Sequence, residues 1–170
     1  MAKRGESLRA EVLLESDQIE RDEPFVWTVR FQNAGATTLH VSREIQSLNA
    51  HPDGSALEIS TQRPLLADEV YIPFLSLPTV PVDPGASLDH PFSLVFPLRL
   101  ARLTGVPVRA EVEEWVPSPV FELRMSVAFG DEPFHPPAHR EELARALEAW
   151  ARVLAVPPIT VKSWTQREEA

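Results

Sequence analysis

Apolar side chains recur at every second position along several stretches of this chain, the signature of half-buried β-strands. Leu8, Ala10, Val12 and Leu14 share one face. Phe25, Trp27, Val29 and Phe31 share the next, with Thr28, Arg30 and Gln32 opposite them. Asn33-Ala34-Gly35 supplies a turn with a residue free to take positive φ, and Leu39, Val41 and Ile45 belong to the strand after it. Leu57, Ile59 and Thr61 follow the turn Pro52-Asp53-Gly54. Phe92, Leu94, Phe96 and Leu98 follow Asp83-Pro84-Gly85. Val106, Val108, Ala110 and Val112 form a further strand, with Glu111 and Glu113 outward. The clearest alternation lies in 120–129, where Phe121, Leu123, Met125, Val127 and Phe129 point in and Glu122, Arg124 and Ser126 point out. Val70, Ile72 and Phe74 alternate too, but Pro73 makes that segment an edge strand or an extended loop. The fold class expected is mainly β: an immunoglobulin-like antiparallel β-sandwich of roughly seven to nine strands.

The tail changes period. Leu143, Leu147, Trp150 and Leu154 recur at helical spacing, and Glu141/Arg145 and Glu148/Arg152 are i,i+4 pairs in the favoured order. Pro136-Pro137 precede this segment and Pro157-Pro158 follow it, so one helix is expected over 139–155. A last short strand, 159–164, should return to a sheet edge. The chain therefore reads as a single domain, 1–170, with a sandwich over about 6–130 and a helix-plus-strand extension over 138–165. The helix is expected to cover one open end or face of the sandwich; its rival is an arm exchanged between protomers.

Composition sharpens this picture. The 170 residues include 17 prolines, 6 glycines and no cysteine. Proline at about twice its average usage of roughly 5% disfavours a mostly helical protein, while a hydrophobic content of 44% disfavours disorder. Without cysteine there is no disulfide framework, thiolate metal site or cysteine nucleophile, which fits a reducing compartment. The N-terminus has no apolar run behind Lys3-Arg4, and the apolar stretch 70–82 is short and broken by Pro73, Pro78 and Pro81, so a cytoplasmic protein without membrane insertion is expected. A net charge of -9 with dispersed basic residues disfavours nucleic-acid binding.

Motifs for chemistry are sparse. His135 and His139 have ligand-like spacing, but two prolines separate them and no general-base Glu lies within the motif. Asp17–Glu23 lacks the glycine of an EF-hand loop and carries Arg21. Glu111 and Glu113 share an outward face, as on a solvated sheet. There is no Gly-x-Ser-x-Gly, no Ser-x-x-Lys and no Gly-rich phosphate loop. No catalytic residue, cofactor site or metal site is therefore assigned, and the protein is expected not to be an enzyme. Three acidic-x-Pro-Phe echoes, ending in Phe25, Phe92 and Phe134, read as turns that place a proline at a strand start and then an inward aromatic.

Segment 64–84 is the most unusual stretch, with Pro64, Pro73, Pro78, Pro81 and Pro84 among many apolar residues. It either caps the core or forms an exposed ridge that docks a partner. Candidate partner-binding residues are Tyr71, Phe74, Leu75 and Leu77 in this segment, with Trp115 as the best exposed aromatic.

The acidic turn ending Glu23-Pro24, the strand Phe25-Val26-Trp27-Thr28-Val29-Arg30-Phe31, the Asn33-Ala34-Gly35 turn and the later Val82-Asp83-Pro84-Gly85-Ala86-Ser87 turn resemble bacterial immunoglobulin-like domains, loosely those of the intracellular proteinase-inhibitor type. The resemblance covers roughly half the chain. It implies the sandwich fold but carries over no functional residue, and the C-terminal helix departs from it. Three functions follow as expectations. The leading one is a non-enzymatic protein-binding or assembly module, whose partner is another protein or its own copy, acting through a sandwich surface, a sheet edge or segment 64–84. The alternatives are an intracellular protease inhibitor using an exposed loop, and a carbohydrate-binding accessory domain or enzyme with a concave pocket lined by Trp115 or Tyr71.

Overall fold

The computed structural model describes residues 7–62, 77–104 and 109–165. Within them the chain is mainly β. The strands are β1 (Leu8–Leu13), β2 (Pro24–Asn33), β3 (Leu39–Ser42), β4 (Ser47–Ala50), β5 (Ala56–Ser60), β6 (Thr79–Val82), β7 (Ser87–Val95), β8 (Leu98–Thr104), β9 (Arg109–Trp115), β10 (Val120–Gly130) and β11 (Arg152–Lys162). A 3-10 turn (Arg140–Glu142) leads into one helix, α1 (Leu143–Trp150).

Three strands form a sheet in the order β1-β2-β7, antiparallel throughout. A larger sheet runs β4-β5-β10-β3-β6, with β11 on the other edge of β10. The two sheets turn their apolar faces to one core, the arrangement of a β-sandwich. Phe25, Trp27, Val29 and Phe31 of β2 meet Phe121, Leu123, Met125, Val127 and Phe129 of β10, all buried. Trp27 is stacked between Phe25 and Phe92, each ring centroid 5.9 Å away, and its buried indole N–H has no hydrogen-bond partner among the described residues. β8 and β9 form a separate two-stranded ribbon.

β10 carries the larger sheet. One of its edges pairs with β11 along Val120–Phe129. The other is divided: β5 runs parallel along Glu122–Ser126, and β3 pairs antiparallel at Phe129 and Gly130. At the handover Thr61 fills in. Its N–H donates to the Ser126 carbonyl at 3.3 Å, and its hydroxyl oxygen accepts the Ala128 N–H at 2.9 Å. Ser42 at the end of β3 donates to the Thr61 carbonyl at 3.2 Å. Both side chains are fully buried, so each polar atom would be costly without its partner.

The Asn33 turn forms differently from the expectation. Among the described residues positive φ occurs at Asp22, Gly54 and Gly85, not at Gly35. Gly35 is instead held by the Asn33 side chain, whose Oδ1 accepts the Gly35 N–H at 2.9 Å while Nδ2 donates to the carbonyls of Thr37 and Val82. Of the acidic-x-Pro-Phe echoes, only Pro24 opens a strand; Pro91 lies inside β7, and Pro133 lies beyond β10. The three phenylalanines are all buried.

The tail corrects the expected helix. α1 ends at Trp150, and Ala151 is already extended. Residues 152–156 also fit a two-residue period, and β10 offers them a full ladder that a helix could not use. Arg152 therefore emerges beside the end of β10, where it pairs with Asp131 and its guanidinium lies 4.9 Å over the Phe129 ring. Pro157 and Pro158, expected to stop a helix, sit within β11 at a bulge, where the two of them face the single residue Arg124. A bulge releases one residue from the ladder, so prolines are tolerated there. The helix packs on its own chain: Leu147 shares a small cluster with Phe134 and Leu77, and the Trp150 ring lies against Gly130, where a Cβ would overlap it.

Replacing Thr61 by valine keeps the shape and removes the acceptor at the handover. Thr61→Val should cost about 1–3 kcal/mol in a urea unfolding titration, and Thr61→Ser clearly less. Equal losses for the two variants would mean that the hydroxyl is not what holds the junction.

Candidate interaction surface

The residues singled out from the sequence do not come together. Tyr71, Phe74 and Leu75 lie outside the described residues. Leu77 is buried against Phe134 and Leu147, so the described end of segment 64–84 caps the chain's own helix. Trp115, expected to be exposed, is only 8% exposed. Its ring packs against Phe96 and Phe121, and its Nε1 donates to the His51 carbonyl at 2.7 Å. It anchors the base of the β8–β9 ribbon. The misreading has a simple cause: Trp115 shares a strand face with Glu113, but that face dives into the core at its last position.

An open groove of about 540 Å³ separates β1 from β11. Glu11 and Asp17 line one side, and Pro157, Pro158 and Thr160 line the other. The Asp17–Glu23 segment closes its end: the Lys162 N–H donates to the Asp17 carbonyl at 2.8 Å, and the Ile19 N–H donates to the Lys162 carbonyl at 2.9 Å. His135 and His139 are both exposed, and among the described residues no group of three or more His, Cys, Asp or Glu side chains could hold a metal ion. No helix among the described residues is long and apolar enough to cross a membrane.

The outer face of the β1-β2-β7 sheet has a different character. Period-two geometry sends Pro24, Val26, Thr28, Arg30 and Gln32 of β2 to this side. The register sets Val95 opposite Pro24, Ser93 opposite Val26, Pro91 opposite Thr28 and Asp89 opposite Arg30. Val26 is 49% exposed and Val95 48%. Leu13 of β1 stands opposite Thr28 on the same face. One end of the face is thus apolar and the other ionic. Sequence reasoning overlooked it because Thr28, Arg30 and Gln32 mark this side as polar, although Val26 occupies an outward position in the same alternation.

The ionic end is well ordered. Arg30 donates from Nε to Asp89 Oδ1 at 2.7 Å and from a terminal nitrogen to Oδ2 at 3.0 Å, a bidentate pair. That hydrogen bonding, with the attraction of the guanidinium charge, holds the Asp89 carboxyl below its ordinary range and raises Arg30. A second carboxylate, Glu11, stands opposite Arg30 on β1.

No protein-family model, curated protein or solved structure matches this chain.

Because the Asp89 pKa is depressed in the fold, its contribution to stability is present above the unfolded value of about 3.9 and is lost as pH falls through the folded value. Asp89→Asn should therefore flatten the acid limb of stability against pH, read by urea titrations at a series of pH values below about 5. If wild type and variant lose stability in parallel on acidification, the linked carboxylate lies elsewhere.

Proposed function

We propose that this protein is a non-enzymatic binding module that holds another protein on the outer face of the β1-β2-β7 sheet. The observation that carries this reading is the half-exposed pair Val26 and Val95, set beside Pro24 and Pro91 on the outer sheet face and bordered by the Arg30–Asp89 pair. A contiguous apolar patch with a charged border is the usual anatomy of a protein contact. The β-strands present it on a rigid support, so binding orders little of the module itself. In this reading the fold is an immunoglobulin-like sandwich working in the cytoplasm. The turn residues quoted above support the first part, and the absence of cysteine fits the second.

The test is cross-linked affinity capture with wild type and the double variant Val26→Asp/Val95→Asp. Both positions face solvent, so the melting temperature should stay within a few degrees. A partner held by the wild type should fall roughly tenfold or more in the variant, since one buried charge without a mate costs more than the contact returns. Equal capture by both proteins, or none above background by the wild type, would sink the proposal.

A further inference from the structure

The β8–β9 ribbon stands apart from the way the other strand edges are closed. β6 carries Pro81, β7 carries Pro91, and β11 carries Pro157 and Pro158. β4 has only 4 residues, and β1 runs beside β11. Proline and short length are standard ways to stop a sheet edge from adding another strand. β8 and β9 have 7 residues each and contain no proline, and among the described residues neither pairs with a third strand.

Charge on these two strands is segregated. β8 contains Arg99 and Arg102 and no acid. β9 contains Glu111, Glu113 and Glu114 against the single Arg109. Within the ribbon the register sets Arg99 opposite Glu114 and Arg102 opposite Glu111. Pairing β9 with a second β9 would bring glutamates together, and pairing β8 with a second β8 would bring arginines together. Pairing β8 with β9 of another molecule repeats the complementarity the ribbon already uses. The base of the ribbon is fixed by Trp115 and by the Arg21–Glu114 pair at 3.7 Å, so both edges are presented from a firm root.

We propose that the β8–β9 ribbon is a self-association element, in which the cationic β8 edge of one copy adds to the acidic β9 edge of another. The two edges differ, so the contact is head-to-tail, and each added copy leaves a free edge of each kind. Assembly then proceeds past the dimer, and the like-charged pairings that would produce a closed two-fold dimer are disfavoured.

Sedimentation velocity on the full chain reads this directly. Species larger than a dimer should appear as the concentration approaches about 100 μM, and association should weaken roughly tenfold between low and high salt. The decisive pair of variants is R99Q/R102Q, which keeps only the acidic β9 edge, and E111Q/E114Q, which keeps only the cationic β8 edge. Each alone should associate roughly tenfold more weakly than the wild type, and an equal mixture of the two should recover association, because each supplies the edge the other has lost. Mixing is read by energy transfer between dyes on an introduced Ala36→Cys, an exposed position and a unique site because the chain has no cysteine. A wild type that stays monomeric, one that stops at a closed dimer, or a mixture that associates no better than either variant alone overturns the proposal. If either variant does not fold, the salt series on the wild type decides, and association unchanged by salt is fatal to the idea. Val26→Asp/Val95→Asp lies on a different sheet and should leave this association intact, so the ribbon contact and the sheet-face contact fail separately.

Discussion

The larger sheet depends on one strand being satisfied by two different neighbours along the same edge. β10 hydrogen-bonds in parallel with β5 and then antiparallel with β3, and the two neighbours cannot meet without a gap. The gap falls in the core, where an unpaired amide is expensive. Thr61 and Ser42 close it with side-chain oxygens, one accepting from β10 and the other donating back to the chain. The buried aromatic layer of β2 rests on the inner face of that continuous strand. Hydroxyl chemistry at two positions thus underlies hydrophobic packing over the whole interface.

Much of the architecture was legible in the alternation of side chains. β1, β2 and β10 lie where the two-residue period put them, because each has one buried and one solvated face. β4 was missed: Ser47–Ala50 has no such alternation and is a strand only because β5 offers it an edge. The helix was overextended because 152–156 satisfies both periods, and only the presence of β10 decides between them. The candidate surface was half legible. Val26 is apolar at an outward position, but its neighbour Val95 is distant in sequence and joins it only through the β2–β7 register. Trp115 shows the converse, since a residue on an acidic strand face becomes core when the strand ends against Phe121.

The prolines divide the surface into places where pairing is blocked and places where it is left open. Pro81, Pro91, Pro157 and Pro158 all lie on strands at the margin of a sheet, where a missing N–H breaks little within the fold and denies a donor to outsiders. The large proline count is thereby compatible with a highly paired structure. It also sets the remaining surfaces apart: the outer sheet face includes Pro24 and Pro91 beside Val26 and Val95, and the ribbon carries charge where the other edges carry proline.

The divided edge of β10 also bears on the order in which the protein can be made. β3 with β6, and β4 with β5, are separate two-stranded pairs until β10 arrives, and such pairs are marginal in water. The β1-β2-β7 sheet, by contrast, is complete in sequence by Val95. In order of synthesis, every strand of the first sheet has been made by Val95, whereas the second sheet lacks the strand that joins its two pairs until residues 120–130 are made. Thr61 has neither the Ala128 amide nor the Ser126 carbonyl to bond until that strand is made, so the strand acts as the clasp between the two pairs.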